Sequence, residues 1–560
     1  MLLHALLLVA CKDDPVDSAA PDWSPDLVCP GSAGCTNADG PLHAAAAVRD
    51  ITPPCFESWT DVDGDGSYSK TKDEFLDCGC DRLCPEDEGY IAPDEGEGDE
   101  SFAAVWMGGF SAAHPAMGVA DGIDARVLVL DKGETRIAIA SVDLVGFFYD
   151  DVRATRALLQ ERGLEVDYLL VSATHNHEGP DTMGLWGERT GKTGYDPEYL
   201  AFVHQNLADA VEEAVGELTE VGAMKVGRVY PEDEHERGIA NVIDDSRDPV
   251  IIAEELGVLH LTDTSGATIS TVVNWGCHPE TLGTDNYLLT SDFAHALRQT
   301  VEGGSTWDAY STEGVGGTAI YLQGMVGGMM TTLHTTTHTP DGEVHSGATW
   351  EKTDAIGVLL GEMALKAVDE AQVADSTDLY VAQTIFTLPV DNIAFQAMFR
   401  IGVFPRELSG YDPDAPLDDD NVPQVETELD LLRIGPLEML TIPGELLPEV
   451  AIGGYDGSKT GSTLYELVQE NNPNPPSLDD APQGPYLREK MSGEFNWVLN
   501  LANDELGYII PAYNFKLHEN VPYLDEADGD HYEETNSLGP DTEPLVTTQA
   551  TRLLEWSAAN

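Results

Sequence analysis

From about residue 103 onward, apolar runs of strand length alternate with stretches of helical spacing. Arg126 to Leu130 and Arg136 to Val142 are apolar runs joined by Asp131-Lys132-Gly133, which predicts a β-hairpin. A helix is predicted at about 150–162, then a strand leading to His175. Asp196 and Pro197 supply an N-cap and a proline at the first helical position, and Leu200, Val203, Leu207, Ala210 and Val211 form the apolar face of the helix they open. Leu256 to Leu261 and Ala267 to Trp275 predict a second hairpin around Asp263-Thr-Ser-Gly266. Ala319 to Leu322 and Leu437 to Ile442 read as further short buried strands, and no period repeats along the chain. The implied class is mixed α/β (α+β), one large domain with mixed sheets flanked by helices.

Several predicted strands end in chemistry-bearing residues. The run 171–181 reads VSATHNHEGPD. Alternate residues of an extended chain share a face, so His175 and His177 are expected to point the same way, as a metal or proton-transfer site requires. A solvated turn closed by Gly179 and Pro180 accounts for the pair equally well. A second run ends in Cys277-His278-Pro279 and a third in Pro443-Gly444-Glu445. Taken singly, a satisfied histidine or a helix-capping glutamate explains each. With His175 they make two imidazoles and a carboxylate, the ligand set of a catalytic zinc that keeps a position open for water. No Gly-x-Ser-x-Gly elbow, HExxH helix or Walker loop competes with this reading. His334, His338 and His345 fall in a Thr- and Gly-rich stretch expected to be a surface loop.

Charge narrows the partners. With 100 Asp and Glu against 28 Lys and Arg, the net charge of -72 excludes nucleic acid as a partner, because such a chain repels phosphate backbones. The start, MLLHALLLVACKDD, is too short to span a bilayer and reads as a signal peptide over residues 1–10. Leu8-Val9-Ala10-Cys11 resembles a bacterial lipobox, which would lipidate Cys11 and leave 11–43 as an acidic tether. The expected setting is the bacterial cell envelope or the exterior, with a lipid anchor in place of a transmembrane helix. Cys29, Cys35, Cys55, Cys78, Cys80 and Cys84 fit disulfides in an exported chain, with a cysteine zinc knot as the alternative. Residues 55–100 form a Cys-rich acidic insertion. Within it Asp61, Asp63, Asp65 and Ser67 follow the first half of an EF-hand loop, which suggests structural Ca2+, although Lys72 stands where that loop needs a glutamate. A solvated acidic loop is the other reading.

Taken together, Thr174-His-Asn-His177-x-Gly-Pro180, His278-Pro279 with Ser291-Asp292, and Pro443-Gly444-Glu445 resemble, in order and spacing, motifs of the neutral/alkaline (non-lysosomal) ceramidases. The resemblance covers about residues 44–558, so 44–560 is expected to be the catalytic domain. It implies a Zn2+ held by His175, His278, Glu445 and Tyr508. It also implies that His177, Arg247 and Tyr532 work around the scissile amide of an N-acyl lipid, cleaved to fatty acid and sphingoid base by metal-activated water. One departure is plain: a serine of the family, discussed as a nucleophile, is Gly324 here. Other readings are a zinc hydrolase of another N-acyl or ester lipid, or a non-catalytic calcium-binding surface lipoprotein.

Overall fold

The computed structural model describes residues 23–231, 237–417 and 420–560; the expected signal peptide and Cys11 lie outside them. Two sheets stack face to face. The larger has eight strands in the order Thr318–Gln323, Thr268–Trp275, Leu256–Asp263, Thr219–Val229, His43–Asp50, Asp124–Lys132, Thr135–Val142 and Tyr168–Ala173. Its outermost pair at each end is parallel, while the rest are antiparallel. The second sheet has five strands in the order Leu27–Cys29, Leu379–Pro389, Gln424–Ile434, Leu437–Thr441 and Phe495–Leu499.

The period of two along the strands decides which side each residue packs against. Leu128, Leu130, Ile137 and Ile139 point inward and meet Val381, Leu432, Met439 and Trp497 of the second sheet. The intervening Val127, Val129, Ala138 and Ala140 point outward, under the helices Pro197–Gly216, Phe293–Gly303 and Trp350–Glu370. The helix Thr542–Ala559 covers the outer face of the five-stranded sheet through Val546, Ala550 and Leu553. Helices, sheet, sheet and helices are thus stacked in order, as the sequence pattern predicts for a mixed α/β chain. Asp196 caps its helix through the backbone N–H of Glu198, and both expected hairpins are present.

One expectation at the N-terminal side is corrected. Leu27–Cys29 is an edge strand paired with Val381–Gln383, and Cys29 and Cys35 are buried and disulfide-bonded, so residues from Leu27 are built into the fold and are not a tether. The apolar Leu27, Val28 and Leu42 supply the burial that a solvated linker lacks. Among the described residues the other cysteines pair as Cys55–Cys80 and Cys78–Cys84, and Cys277 is free and buried. In the acidic insertion Asp61, Asp63 and Asp65 do come together, their carboxylate oxygens within 4.8 Å of one another. The positive charge among them is Lys72, whose Nζ lies 2.8 Å from Asp63 and 2.7 Å from Asp65. Ser67 turns its backbone N–H to Asp65. Among the described residues no helix is long and apolar enough to cross a membrane.

Candidate metal centre

The strand Tyr168–Ala173 stops short of His175, whose φ of +63° is left-handed. His175 and His177 are therefore not alternate residues of a strand, as the sequence suggested. A turn aims them instead. It is held by Thr174 N–H on Val142 O, Asn176 N–H on Leu144 O and His177 N–H on Pro279 O. A non-glycine residue in this region costs about 1–3 kcal/mol and persists only where its surroundings enforce it. Here Gln323 Nε2 donates to both Thr174 O and Cys277 O at 2.8 Å, which ties the two histidine-bearing segments together. Below them Asp143, paired to Arg298 through two 2.8 Å bonds, also accepts from Ser291.

His175 donates from Nδ1 to Val145 O at 2.6 Å, and His278 from Nδ1 to Met330 O at 2.7 Å. A carbonyl can only accept, so each Nδ1 carries a proton, and in the neutral ring Nε2 is the nitrogen with the lone pair. Both Nε2 atoms converge on Glu445 Oε2, at 3.3 and 3.2 Å. Tyr508 is beside Glu445 because 445–446 and 508–509 form a short parallel pair, and its hydroxyl lies 3.5 Å from His278 Nε2. The three rings of His175, His177 and His278 form a buried cluster that could hold a metal ion.

The electrostatics fit a metal-type site. Burial works to raise the Glu445 carboxyl, but the two imidazoles outweigh it and hold the group far below the usual carboxylate range. Burial works to lower His175, yet Glu445 raises it to about 9. His177 goes the other way, down to about 4, because burial dominates and Glu280 only partly offsets it. Its Nδ1 lies 3.3 Å from Glu280 Oε2 without hydrogen-bond alignment, so both ring nitrogens remain unbonded. Gly109 makes room for this ring: a Cβ there would fall 2.4 Å from His177 Cγ.

The remaining expected residues divide. Tyr532 stands at the cavity mouth, 43% exposed, its ring 6.3 Å from that of Tyr508. Arg247 does not line the cavity. It is 1% exposed and its guanidinium is bound to Glu533 and Glu534, so here it anchors the short helix Tyr532–Thr535. Gly324 is pressed against backbone: a Cβ there would lie 2.8 Å from Gly276 N and 3.0 Å from Trp275 C. A side chain at this position would therefore require the neighbouring backbone to shift.

A cavity of about 670 Å³, its open mouth included, leads to these groups. One wall is aromatic, with Phe395, Phe399 and Phe148 packed around Phe404, and Met183, Leu185 and Trp186 continue it. Sequence reasoning missed this wall because 145–148, 183–186 and 395–404 are brought together only by folding. It also missed Glu505, a buried carboxyl beside Glu445 that burial pushes well above its ordinary pKa.

Fold and site together define a mixed α/β sandwich with a buried histidine centre at the polar end of an apolar cavity. Its fold is that of neutral ceramidase. The crystal structure of neutral ceramidase from Pseudomonas aeruginosa matches with a TM-score of 0.58 at 14% identity, covering 92% of this chain and 75% of that one. A structure of ceramidase complexed with C2 matches with a TM-score of 0.57 at 13% identity, with the same coverage. No family model and no curated protein matches the chain. The resemblance read from the motifs thus holds at the level of the fold.

Proposed function

We propose that the chain is an exported, zinc-dependent amidohydrolase that cleaves the N-acyl amide of ceramide-like lipids to a fatty acid and a sphingoid base. The observation that carries this reading is the convergence of His175, His278, Glu445 and Tyr508 at the inner end of an apolar cavity. Zinc bonds of about 2.0–2.1 Å in a tetrahedron put neighbouring donor atoms about 3.3 Å apart. The separations of 3.2, 3.3 and 3.5 Å fit that figure. When bound there, zinc supplies Lewis acidity towards an acyl oxygen and acidifies the water it holds.

The chain's own residues do the rest. The aromatic wall around Phe404 takes the acyl chain and excludes water from the polar end. His177, with both ring nitrogens unbonded, accepts a proton from the attacking water and passes it to the leaving amine nitrogen. Tyr532 donates its hydroxyl to the acyl oxygen as negative charge develops. A water nucleophile also agrees with Gly324, which offers no hydroxyl and whose surroundings would have to shift to admit one. The disulfides suit an oxidising compartment outside the cytoplasm.

The test is metal analysis of the purified chain followed by an amine-release assay on ceramides and other N-acyl lipids. The expected result is one zinc per chain, chelator-sensitive turnover, and a roughly 10²- to 10⁴-fold loss in His177→Ala with zinc retained. Zinc binding with no turnover on any amide would refute the reading.

A further inference from the structure

Glu505 is 3% exposed and lines the cavity with His175, His177, Glu445 and Tyr508. Its Oε1 accepts from Gly507 N–H at 2.8 Å, while Oε2 is buried and has no hydrogen-bond partner. Buried carboxyl oxygens are seldom left in this state, because the lost hydration goes uncompensated. Arg406 Nε and both ring nitrogens of His177, in the same cavity lining, are likewise unbonded, and none of them bonds Oε2. Asp504 is closed off in a pair with Arg406 at 2.9 and 3.0 Å, and the Nη2 of that guanidinium also donates to Glu426 O. The Glu505 stem is gripped where it passes Gly146, since a Cβ on that glycine would meet Glu505 Cγ at 2.9 Å and Met183 Sδ at 2.7 Å. The side chain is thus fixed, with one lone-pair-bearing oxygen presented at the reacting end of the cavity.

We propose that Glu505 Oε2 accepts the N–H of the substrate's amide and then holds the released amine, so that this residue selects amides over the corresponding oxygen esters. The inference rests on the acyl-hydrolase reading above and adds the origin of its specificity. A carboxyl keeps acceptor capacity in either protonation state, so an N–H satisfies Oε2. An ester brings to the same place an oxygen that has no proton to donate to Oε2, and sites built to bond an N–H reject analogues that lack it.

Glu505→Gln is an informative variant because Gly507 N–H needs an acceptor. The glutamine oxygen must stay on Gly507, which turns its NH2 group into the cavity, donor against donor. With N-acyl and O-acyl substrates of one acyl chain, the amide-to-ester ratio of kcat/KM should fall roughly 10- to 100-fold in the variant, with zinc content unchanged. An independent reading is calorimetric binding of dodecylamine, dodecanol and dodecanoate to the wild-type holoprotein. The amine should bind at least about 10-fold tighter than either, and Glu505→Gln should erase that margin. The binding result stands even if the chain hydrolyses no amide, and the wild-type comparison stands even if the variant fails to fold. Parallel loss of amide and ester turnover, or an amine held no tighter than the alcohol, would overturn the proposal and leave Glu505 with a bound water only.

Discussion

Replacing Arg247 by methionine separates a structural role from a catalytic one. The guanidinium bonds Glu533 Oε2 and both oxygens of Glu534, the latter at 2.9 and 3.2 Å, and Nη2 also reaches Asn514 O at 3.2 Å. Without it Glu534 keeps His531 Nδ1 at 2.9 Å and Lys516 N–H at 3.0 Å, but Glu533, fully buried, keeps no side-chain partner, its Oε1 already lacking one. Removing one member of a buried ion pair typically costs about 3–5 kcal/mol, chiefly because the remaining charge is stranded. That is a large part of the roughly 5–15 kcal/mol by which domains are stable. Urea titration followed by circular dichroism should therefore place the midpoint of Arg247→Met well below wild type. Neutralising the stranded groups in the triple variant Arg247→Met/Glu533→Gln/Glu534→Gln should restore most of the difference. The deficit should also narrow from pH 8 to pH 5 as the stranded carboxyls take up protons, since burial already holds Glu533 at about 7. A variant with wild-type stability and a 10²-fold loss of turnover would refute this account and return Arg247 to the reacting amide.

Other changes test the site and its frame. His175→Ala, His278→Ala and Glu445→Ala should each lose most bound zinc by elemental analysis while still folding, because each removes one of the convergent donors. Gly324→Ser should lower thermal stability by roughly 1–3 kcal/mol through its clash with Gly276, and mass spectrometry should find no acyl-serine on it after incubation with substrate. Burial raises Glu449 to about 7, above the 4.5 of an unperturbed carboxyl, so the folded state binds this proton more tightly and loses that advantage as pH rises from about 4.5 through 7. Glu449→Gln should thus be more stable than wild type at pH 8, by roughly 1–3 kcal/mol, and no more stable near pH 4.

Local pattern revealed what depends on neighbours in sequence. The hairpins around 131–133 and 263–266 and the Asp196-capped helix follow from turn chemistry and apolar spacing, and all appear as expected. His175, His278 and Glu445 were legible because each closes an apolar run at a proline- or glycine-marked turn. How the histidines are aimed was not legible, since the left-handed turn at His175 is imposed by bonds from residues 142, 144 and 279. Arg247 misled because an Arg-x-Pro string says nothing of Glu533 and Glu534, which sit 286 and 287 residues away. Glu505 follows Asp504 in an acidic chain and carries no mark of its own. Only the fold distinguishes the one that is paired from the one that is not.

The wide separation of the converging donors has a consequence in time. His278 and Glu445 are 167 residues apart, and Tyr508 is 230 residues beyond His278. A ribosome delivers residues from one end, so a growing chain has its histidines long before its tyrosine, and the turn carrying Glu445 is seated only when residues 507–509 arrive to pair with it. Until nearly the whole polypeptide has been made and packed, a histidine has no fixed partners to share an ion with, because metal binding draws its free energy from the completed fold. The convergent site therefore forms late and as a unit, together with the fold. A copy cut short before residue 508 lacks one of the donors, and an unfolded copy holds all of them in sequence without the geometry that brings them together.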